Sequence, residues 1–571
     1  MNILKGKLVG LLGASLFLSS FSLTSLADSV RVGDFALVDE AGKIHQLSRY
    51  RHKKAVVLLT QGEKCESSKF SEKETVEQFN QLKNEWEPKE IAFLMLDSSG
   101  VKSSREKSDS TVPVLLDESQ LVAETLSVSK VGEMVVLDPE SFNLLYRGPI
   151  NGSIKTALQN VEKNEKVDAV IEKSKGCDIE FASRKAHKKN APDYVSDVAP
   201  IIKENCAECH HVGGIGPFAM DSYMMLKGWS PMIRETLLTK RMPPTQVDPN
   251  VGHFNNARYI DTKDLQTLVH WIDAGSPRGE WKQDPLEGME WAGLREWQLG
   301  EPDYIVKAPV NEIPATGVIE YINSDVELSF DEDKWVKAVQ FIPGDSTVLH
   351  HLLAYVTAPK EDFDGGEGGN NSIARRFLEG YAPGKIDAMT FPEGTGVFIP
   401  KGHKLSMQLH YTTNGKATSD ATILGLYFHD KPPKFEYLNR SVSGRFKIPP
   451  HSIEHKANAE YVFEEDVVVH GLRAHMHFRG RYMRFTAEFP DGTKKDLLNV
   501  PNYSYAWQPT YQLDKPVNLP AGTKVHVTGA FDNSEYNPAN PDPSKELTFG
   551  LQSWDEMFIG YWSYHSAKPT N

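Results

Sequence analysis

The sequence predicts a multidomain protein in which an α/β domain is followed by an all-α domain and then by two all-β antiparallel sandwich domains. The chain of 571 residues exceeds one hydrophobic core, since a domain usually takes roughly 100–200 residues. Strand-like and helix-like segments alternate first, helical periodicity follows, and short segments divided by Pro, Gly, Asn and Asp fill the second half. We place the domains at residues 28–167, 168–288, 289–432 and 433–571.

The first 27 residues are typical of a secretory signal peptide. Lys5 and Lys7 precede the apolar run LVGLLGASLFL, and small residues suit cleavage before Asp28. That run is too short to span a bilayer, although an uncleaved anchor is the alternative. The remaining chain has no long apolar stretch, so we expect a periplasmic protein without a membrane span. The formal net charge of -14 argues against nucleic acid or an anionic membrane as partner.

The first domain is predicted from two apolar runs suited to buried strands, KAVVLLT and EIAFLMLD. The segment SEKETVEQFNQLKNEW between them has helical periodicity, GEMVVLDPESFNLLYRG predicts a hairpin, and SIKTALQNVEKN predicts a helix. This βαβ and then ββα order resembles a thioredoxin or peroxiredoxin-like module. Cys65 follows the first strand without a C-x-x-C motif, so Cys65 and Cys177 are candidate redox thiols. A reactive thiolate, a disulfide between them and a purely structural thiol are the alternatives.

The all-α domain carries the motif CAECH, in which Cys206, Cys209 and His210 form the attachment pattern of a c-type haem. Two thiols at this spacing add to the two vinyl groups of one haem, and the adjacent imidazole binds the iron. A disulfide or half of a zinc site is the alternative. Met242 in the segment KRMPPT resembles the distal methionine of class I cytochromes c, and Met/His ligation raises the reduction potential. Met220 and its neighbouring methionines are interpreted as packing residues.

Two histidines of the segment VVVHGLRAHMHFRG are candidate metal ligands. Arg473, His475 and His477 alternate along a predicted strand, so their side chains point to the same face. Two imidazoles held side by side on a stiff strand make a pair of metal ligands. Two histidines that are hydrogen-bonded on a polar sheet face are the alternative.

Three further segments of the same half carry residues of this kind. They are STVLHHLLAYV with His350 and His351, KLSMQLHYTTNG with His410, and QSWDEMFIGYW with Met557. Sites rich in histidine with one thioether suit copper, because imidazole serves both oxidation states and the soft sulfur favours Cu(I).

Taken in order, HH, QLHY, RAHMH and DEM resemble the copper type II monooxygenase family, that of peptidylglycine α-hydroxylating and dopamine β-monooxygenases. The resemblance implies two copper ions on two sandwich domains. It assigns His350, His351 and His410 to the electron-donating copper, and it assigns His475, His477 and Met557 to the copper that binds oxygen. Neighbouring histidines face opposite sides of a regular strand, so the strand at residues 350–351 must twist or bulge if both bind one ion.

The resemblance also implies hydroxylation of a substrate C–H bond by O2, with electrons replenished by ascorbate. Arg473 matches an arginine that binds the substrate carboxylate and Tyr561 a neighbouring tyrosine, although ion pairing and packing are the alternative roles. Ile559 stands where the peptide-hydroxylating members have an asparagine, which argues against a peptidylglycine substrate.

The sequence predicts a periplasmic copper monooxygenase that also carries one covalent haem c. The predicted substrate is an unidentified organic molecule. Its electrons come through its own haem domain from a periplasmic donor or an ascorbate-like reductant. The alternative is a non-hydroxylating haem and copper protein that transfers electrons or senses oxidants.

Overall fold

The computed structural model describes residues 30–62, 65, 70–101, 112–212, 214, 216–244, 247–289, 296–359, 371–372, 375–381 and 388–570. The predicted signal peptide lies outside these residues. None of the helices in these ranges combines the length and the apolar character that a membrane crossing requires.

The first unit is a six-stranded mixed sheet with helices around it. Its strands and helices are β1 Ala36–Val38, β2 Ile44–Gln46, β3 Ala55–Gln61, α1 Glu72–Trp86, β4 Ile91–Asp97, β5 Val114–Leu116, α2 Leu121–Thr125, β6 Met134–Leu137, β7 Leu144–Gly148, α3 Gly152–Glu162 and β8 Val170–Ile171. The strand order is β5-β4-β3-β6-β7-β8, and β1 and β2 form a separate hairpin. β4 is parallel to β3, whereas β6 and β7 are antiparallel to their neighbours, so the predicted βαβ and ββα order is confirmed.

Both faces of this sheet are buried, as the continuous apolar runs of its strands require. Val57 and Leu59 of β3 belong to one apolar cluster, which includes Phe79 of α1. Val56 and Leu58 of the same strand belong to a second cluster on the other face.

The helical region follows, with α4 Ala182–Lys189, α5 Ala199–Asn205, α6 Tyr223–Leu238 and α7 Thr262–Asp273. Asp261 caps the N-terminus of α7, where its side chain accepts the N–H of Lys263 at 2.8 Å. Gly275 lies beyond the helix with a φ of +85°, which suits glycine. Tyr194 and Trp271 are fully buried in the apolar cluster of this region, and the CAECH motif follows α5.

The next unit consists of sheets that enclose one apolar cluster and are antiparallel except for one pair of strands. Its strands are β9 Tyr304–Lys307, β10 Asn311–Ile313, β11 Ile322–Glu327, β12 Lys334–Ile342, β13 Leu349–Thr357, β14 Asn371–Ser372, β15 Arg375–Tyr381, β16 Met389–Thr390, β17 Thr395–Ile399, β18 Lys404–Tyr411, β19 Thr418–Asp420, β20 Ile423–Phe428 and β21 Phe435–Glu436. One sheet has the order β11-β18-β13-β15-β14, a second has β21-β17-β12-β20-β9 with β16 beside β12, and β10 and β19 form a separate antiparallel pair. The parallel pair is that of β21 with β17. We call this unit the first sandwich.

The last unit repeats the arrangement with two four-stranded sheets around a separate apolar cluster. Its strands are β22 Leu438–Ser443, β23 His455–Val462, β24 Val467–His475, β25 Gly480–Glu488, β26 Lys494–Val500, β27 Tyr511–Leu519, β28 Lys524–Phe531 and β29 Ile559–Ser566. The sheet orders are β22-β29-β24-β27 and β23-β28-β25-β26. We call this unit the second sandwich. The predicted order of an α/β unit, a helical region and antiparallel sheet domains is therefore confirmed.

Candidate metal and haem sites

Three histidines of the first sandwich form a cluster that can hold a metal ion. His350 and His351 lie on β13 and His410 lies on the paired strand β18, and one ligand nitrogen of each lies within 4.8 Å of the others. Their ring centroids are 4.9 to 5.5 Å apart. Three imidazoles at these distances match the ligand number and type of a copper or zinc site.

A bulge brings the two neighbouring histidines to the same face. The register between β13 and β18 shifts between Leu349 and His351, after which His351 pairs with His410. The predicted irregularity of this strand is therefore confirmed. As a result, Nδ1 of His350 lies 3.2 Å from Nδ1 of His351.

Burial keeps this first histidine set neutral. It lowers the pKa of His350 and of His410 to about 4, and it lowers the pKa of His351 well below its usual value. Nδ1 of His410 is buried and has no hydrogen-bond partner among the described residues. Neutral imidazoles are the form that binds metals, and a buried polar atom without a partner requires an explanation that a metal ion supplies.

The second sandwich brings His475, His477 and Met557 together. The prediction that His477 continues the strand of Arg473 and His475 is wrong, because β24 ends at His475 and His477 lies in the connection to β25. Nε2 of His475 lies 3.3 Å from Sδ of Met557, and the rings of His475 and His477 have centroids 5.3 Å apart. Burial lowers the pKa of His475 to about 3 and that of His477 to about 4. This second ligand set therefore offers two neutral imidazoles and one thioether.

Hydrogen bonds on the far side of these rings orient them. Nδ1 of His475 lies 2.6 Å from Oε1 of Gln508, and Nδ1 of His477 lies 3.3 Å from the carbonyl oxygen of Asp555. Metal-binding histidines almost always use one ring nitrogen in this way, which leaves the other for the metal. The fit to a metal ion is therefore good in the second set as well.

Glu556 connects the segment after β24, which carries His477, to the loop of Met557. One carboxylate oxygen accepts the N–H of His477 at 2.9 Å, and the other accepts the N–H of Arg479 at 2.7 Å. Both Glu556 and Arg479 are fully buried. Burial raises the pKa of Glu556, whereas the two N–H groups that its oxygens accept and the charge of Arg479 favour the carboxylate form.

One cavity of about 180 Å³ reaches both ligand sets. Its lining includes His350, His351, His475, Met557, Arg473, Tyr561, Arg375, Gln408 and Gln508 together with Tyr321, Tyr355, Tyr381 and Tyr505. The two sets therefore face a common space, which the sequence did not predict.

Arg473 and Tyr561, the predicted substrate residues, lie side by side at this cavity. They pair across β24 and β29, and the Cζ atom of Arg473 lies 4.3 Å from the centroid of the Tyr561 ring. Burial raises the pKa of Tyr561. The structure therefore places a cation and a protonated phenol beside the second ligand set.

Tyr505 lies between the two sets and was missed by sequence reasoning. Its ring stacks on His350 with centroids 4.8 Å apart and packs edge-on against His477 at 5.7 Å. The hydroxyl lies 2.6 Å from Oγ of Ser553. Tyr505 and Gln508 belong to the loop NYSYAWQP, which has no periodicity that would indicate its role.

The CAECH motif borders a second, larger cavity of about 1080 Å³. His210 lines this cavity, is 7% exposed, and has Nδ1 2.9 Å from the carbonyl oxygen of Phe218. Cys206 and Cys209 are not joined in a disulfide, and burial raises the pKa of Cys206 to about 12. Within the described residues, Met220 and Met289 line the cavity, whereas Met242 follows α6 and is not part of the lining.

Cys65 and Cys177 form a disulfide. Cys65 is 8% exposed, and its sulfur accepts the N–H of Cys177 at 3.1 Å. Of the three alternatives for these thiols, the structure therefore has the disulfide, which joins the first unit to the segment before α4.

No protein-family model matches this sequence, and no curated protein sequence matches it. Similar solved structures include a hypothetical protein, SMc02350, from Sinorhizobium meliloti 1021 (20% identity, 27% of this chain and 94% of that chain, TM-score 0.23). They also include an uncharacterized conserved protein from Geobacillus kaustophilus (24% identity, 27% and 91%, TM-score 0.23). The exposed lipoprotein thioredoxin Etrx1 from Streptococcus pneumoniae strain TIGR4 is similar as well (22% identity, 23% and 99%, TM-score 0.19). The βαβ and ββα arrangement of the first unit is shown by its own strand pairing.

Proposed function

We propose that this protein is an exported, copper-dependent monooxygenase that hydroxylates a C–H bond of an organic substrate with O2. In this proposal, electrons reach the copper through the protein's own c-type haem from a periplasmic donor or an ascorbate-like reductant. The observation that carries the proposal is the cavity lined by two histidines of the first set, by His475 and Met557 of the second set, and by the pair Arg473 and Tyr561. A disulfide at Cys65 and Cys177 is consistent with export to an oxidising compartment.

The two ligand sets have different donors and are therefore assigned different roles. His350, His351 and His410 would hold one copper ion, and His475, His477 and Met557 would hold the other. Copper supplies one-electron redox chemistry at both positions and the activation of O2 at the second. The thioether of Met557 favours Cu(I), the oxidation state that must be reached before O2 is used.

The residues around the second set bind and orient the substrate. The guanidinium group of Arg473 is suited to a carboxylate or another anion, and the Tyr561 hydroxyl can donate a hydrogen bond beside it. Gln508 and Glu556 hold the ligands in place through His475 and His477. Tyrosine side chains cover the cavity walls and limit the water that reaches the reacting C–H bond.

The CAECH segment fits a covalent haem. Cys206 and Cys209 would form the two thioether bonds, and His210 would bind the iron through Nε2, because Nδ1 is directed to the Phe218 carbonyl. Met242 is the proposed sixth ligand, and Met/His ligation would set a high potential. The adjoining cavity of about 1080 Å³ is at the upper end of the size range of ligand pockets.

Oxygen consumption by the copper-loaded, haem-reduced protein tests this function. We expect uptake that requires both copper and a reductant, and transfer of one oxygen atom from isotopically labelled O2 into a product detected by mass spectrometry. His477→Ala serves as the matched control, because it removes one ligand of the second set and leaves the haem motif unchanged. Absence of uptake with a broad panel of small molecules and peptides would count against the proposal.

The second candidate function is electron transfer without hydroxylation. One observation favours it: the shared cavity of about 180 Å³ is smaller than the 300–1000 Å³ typical of ligand pockets. Arg375 and Arg473 form part of its wall. If copper in the second set accepts electrons from the haem but no product forms, this alternative is the better description.

A further inference from the structure

The cavity beside the CAECH motif has walls from two domains. One wall comes from the helical region, with His210, His211 and Met220 among its residues. The opposite wall comes from the first sandwich and consists of residues 343–347 together with Thr418 and Ser419. We call residues 343–347 the cavity-wall loop.

This loop leads directly into the first histidine set. It connects β12 to β13, and only Val348 and Leu349 separate Thr347 from His350. An extended chain spans at most about 3.6 Å per residue, so the Cα atoms of Thr347 and His350 lie no more than about 11 Å apart. The cavity and the first histidine set are therefore linked by a short covalent path.

Hydrogen bonds hold the cavity-wall loop rigidly. The Asp345 carboxylate accepts the N–H of Thr347 at 3.0 Å and the hydroxyl of Thr418 at 2.8 Å. Beyond the loop, the carbonyl of Val348 accepts the N–H of Thr412, two residues after His410, at 2.8 Å. The loop is thus fixed to both strands that carry the first histidine set.

A second connection runs through Asp420. One oxygen of its carboxylate accepts the N–H of Asp345 at 2.9 Å, and the other accepts the hydroxyl of Tyr411 at 2.9 Å. Tyr411 is adjacent to His410. Fully bonded polar networks of this kind keep a fixed geometry, which suits electron transfer because no group has to move.

From these observations we infer that the haem held by His210 borders this cavity and that the cavity-wall loop carries electrons from it to His350 within the same chain. The inference rests on the proposed haem and copper centres. The step is the transfer of one electron: the ferrous haem becomes ferric, and Cu(II) held by the first histidine set becomes Cu(I). The external one-electron donor then reduces the haem again. No proton is transferred and no bond is formed or broken in this step.

Two matched tryptophan variants test the position of the haem. Ser346 lies in the cavity-wall loop, and Ser329 is an exposed residue of the first sandwich outside the cavity lining. We expect Ser346→Trp to shift the visible absorption spectrum and the reduction potential of the haem, and Ser329→Trp to change neither. Identical spectra and potentials in the two variants would overturn the inference.

Anaerobic stopped-flow mixing tests the route without O2 or substrate. In the haem-reduced, Cu(II)-loaded protein, haem oxidation should keep pace with loss of the Cu(II) resonance, at a rate constant independent of protein concentration. Asp345→Asn retains the size of the side chain but removes acceptors of the loop, and it should slow this phase while Ser329→Trp does not. A rate proportional to protein concentration, or an unchanged rate in Asp345→Asn, would overturn the route and leave the proposed function standing. Absence of covalent haem, or of any electron transfer to copper in the unaltered protein, would instead contradict the proposed function.

Discussion

Replacement of Glu556 by glutamine tests how the second ligand set is held. Glu556 directly precedes Met557, and its two oxygens accept the N–H groups of His477 and Arg479 at 2.9 and 2.7 Å. The side chain is fully buried, so water cannot replace these bonds. Through them, one carboxylate fixes both the connection between β24 and β25, which carries His477, and the loop that carries Met557.

The size of the effect follows from what glutamine lacks. Its amide has one acceptor oxygen, so the NH2 group of Glu556→Gln must face either the N–H of His477 or that of Arg479. A buried donor left without an acceptor costs about 1–3 kcal/mol. Loss of a partner that orients metal ligands usually lowers metal affinity about 10–100-fold. We therefore expect a less stable second sandwich and a 10–100-fold weaker second copper site, with the first site unchanged.

Titration with Cu(I) against a competing coloured chelator measures both affinities. Glu546→Gln is the matched control. Glu546 is half exposed in an ion pair with Lys447, and Met557 is the only proposed ligand near it in sequence. The control should bind copper as the unaltered protein does. Equal weakening of both sites in Glu556→Gln, or no weakening, would refute the positioning role.

Three further predictions concern the first unit and the haem. Burial raises the pKa of Asp117 to about 6 from 3.8, so the unfolded chain loses this proton first as the pH rises. The free energy of unfolding of the first unit should therefore fall by up to about 3 kcal/mol between pH 4 and pH 6, and thermal unfolding of Asp117→Asn should lack this decline. Met242→Ala should lower the haem reduction potential in a redox titration and Met220→Ala should not, whereas the reverse result would assign Met220 as ligand. Cys65→Ser should leave copper binding and O2 uptake intact, and a loss of either would give the disulfide a role in the copper chemistry.

Local structure was predictable where a single physical pattern dominated. The apolar runs at β3 and β4 can only be buried strands of a sheet covered on both faces. The helix α7 begins after Asp261 and ends shortly before Gly275, and the capping side chain and the positive φ each act within one turn. An irregularity at His350 and His351 was predicted because neighbouring residues of a regular strand cannot both reach one ion. The register shift between β13 and β18 confirms it.

The rest depends on contacts between distant segments. Tyr505 and Gln508 reach the ligand sets from a loop without periodicity, so nothing in their local sequence indicates a role. Glu556 acts through backbone N–H groups, which every residue has and which leave no mark in the sequence. The larger cavity requires the helical region and the first sandwich to meet, and neither segment alone specifies that meeting.

Copper stoichiometry is the most direct test of the two-centre assignment. Elemental analysis of the purified, copper-loaded protein should find two copper ions per chain. It should find one copper ion per chain in His410→Ala and one in His477→Ala. The spectra of the two variants should differ, because only His477→Ala retains the three-histidine site. A single copper ion in the unaltered protein, or copper retained in full by either variant, would contradict the account.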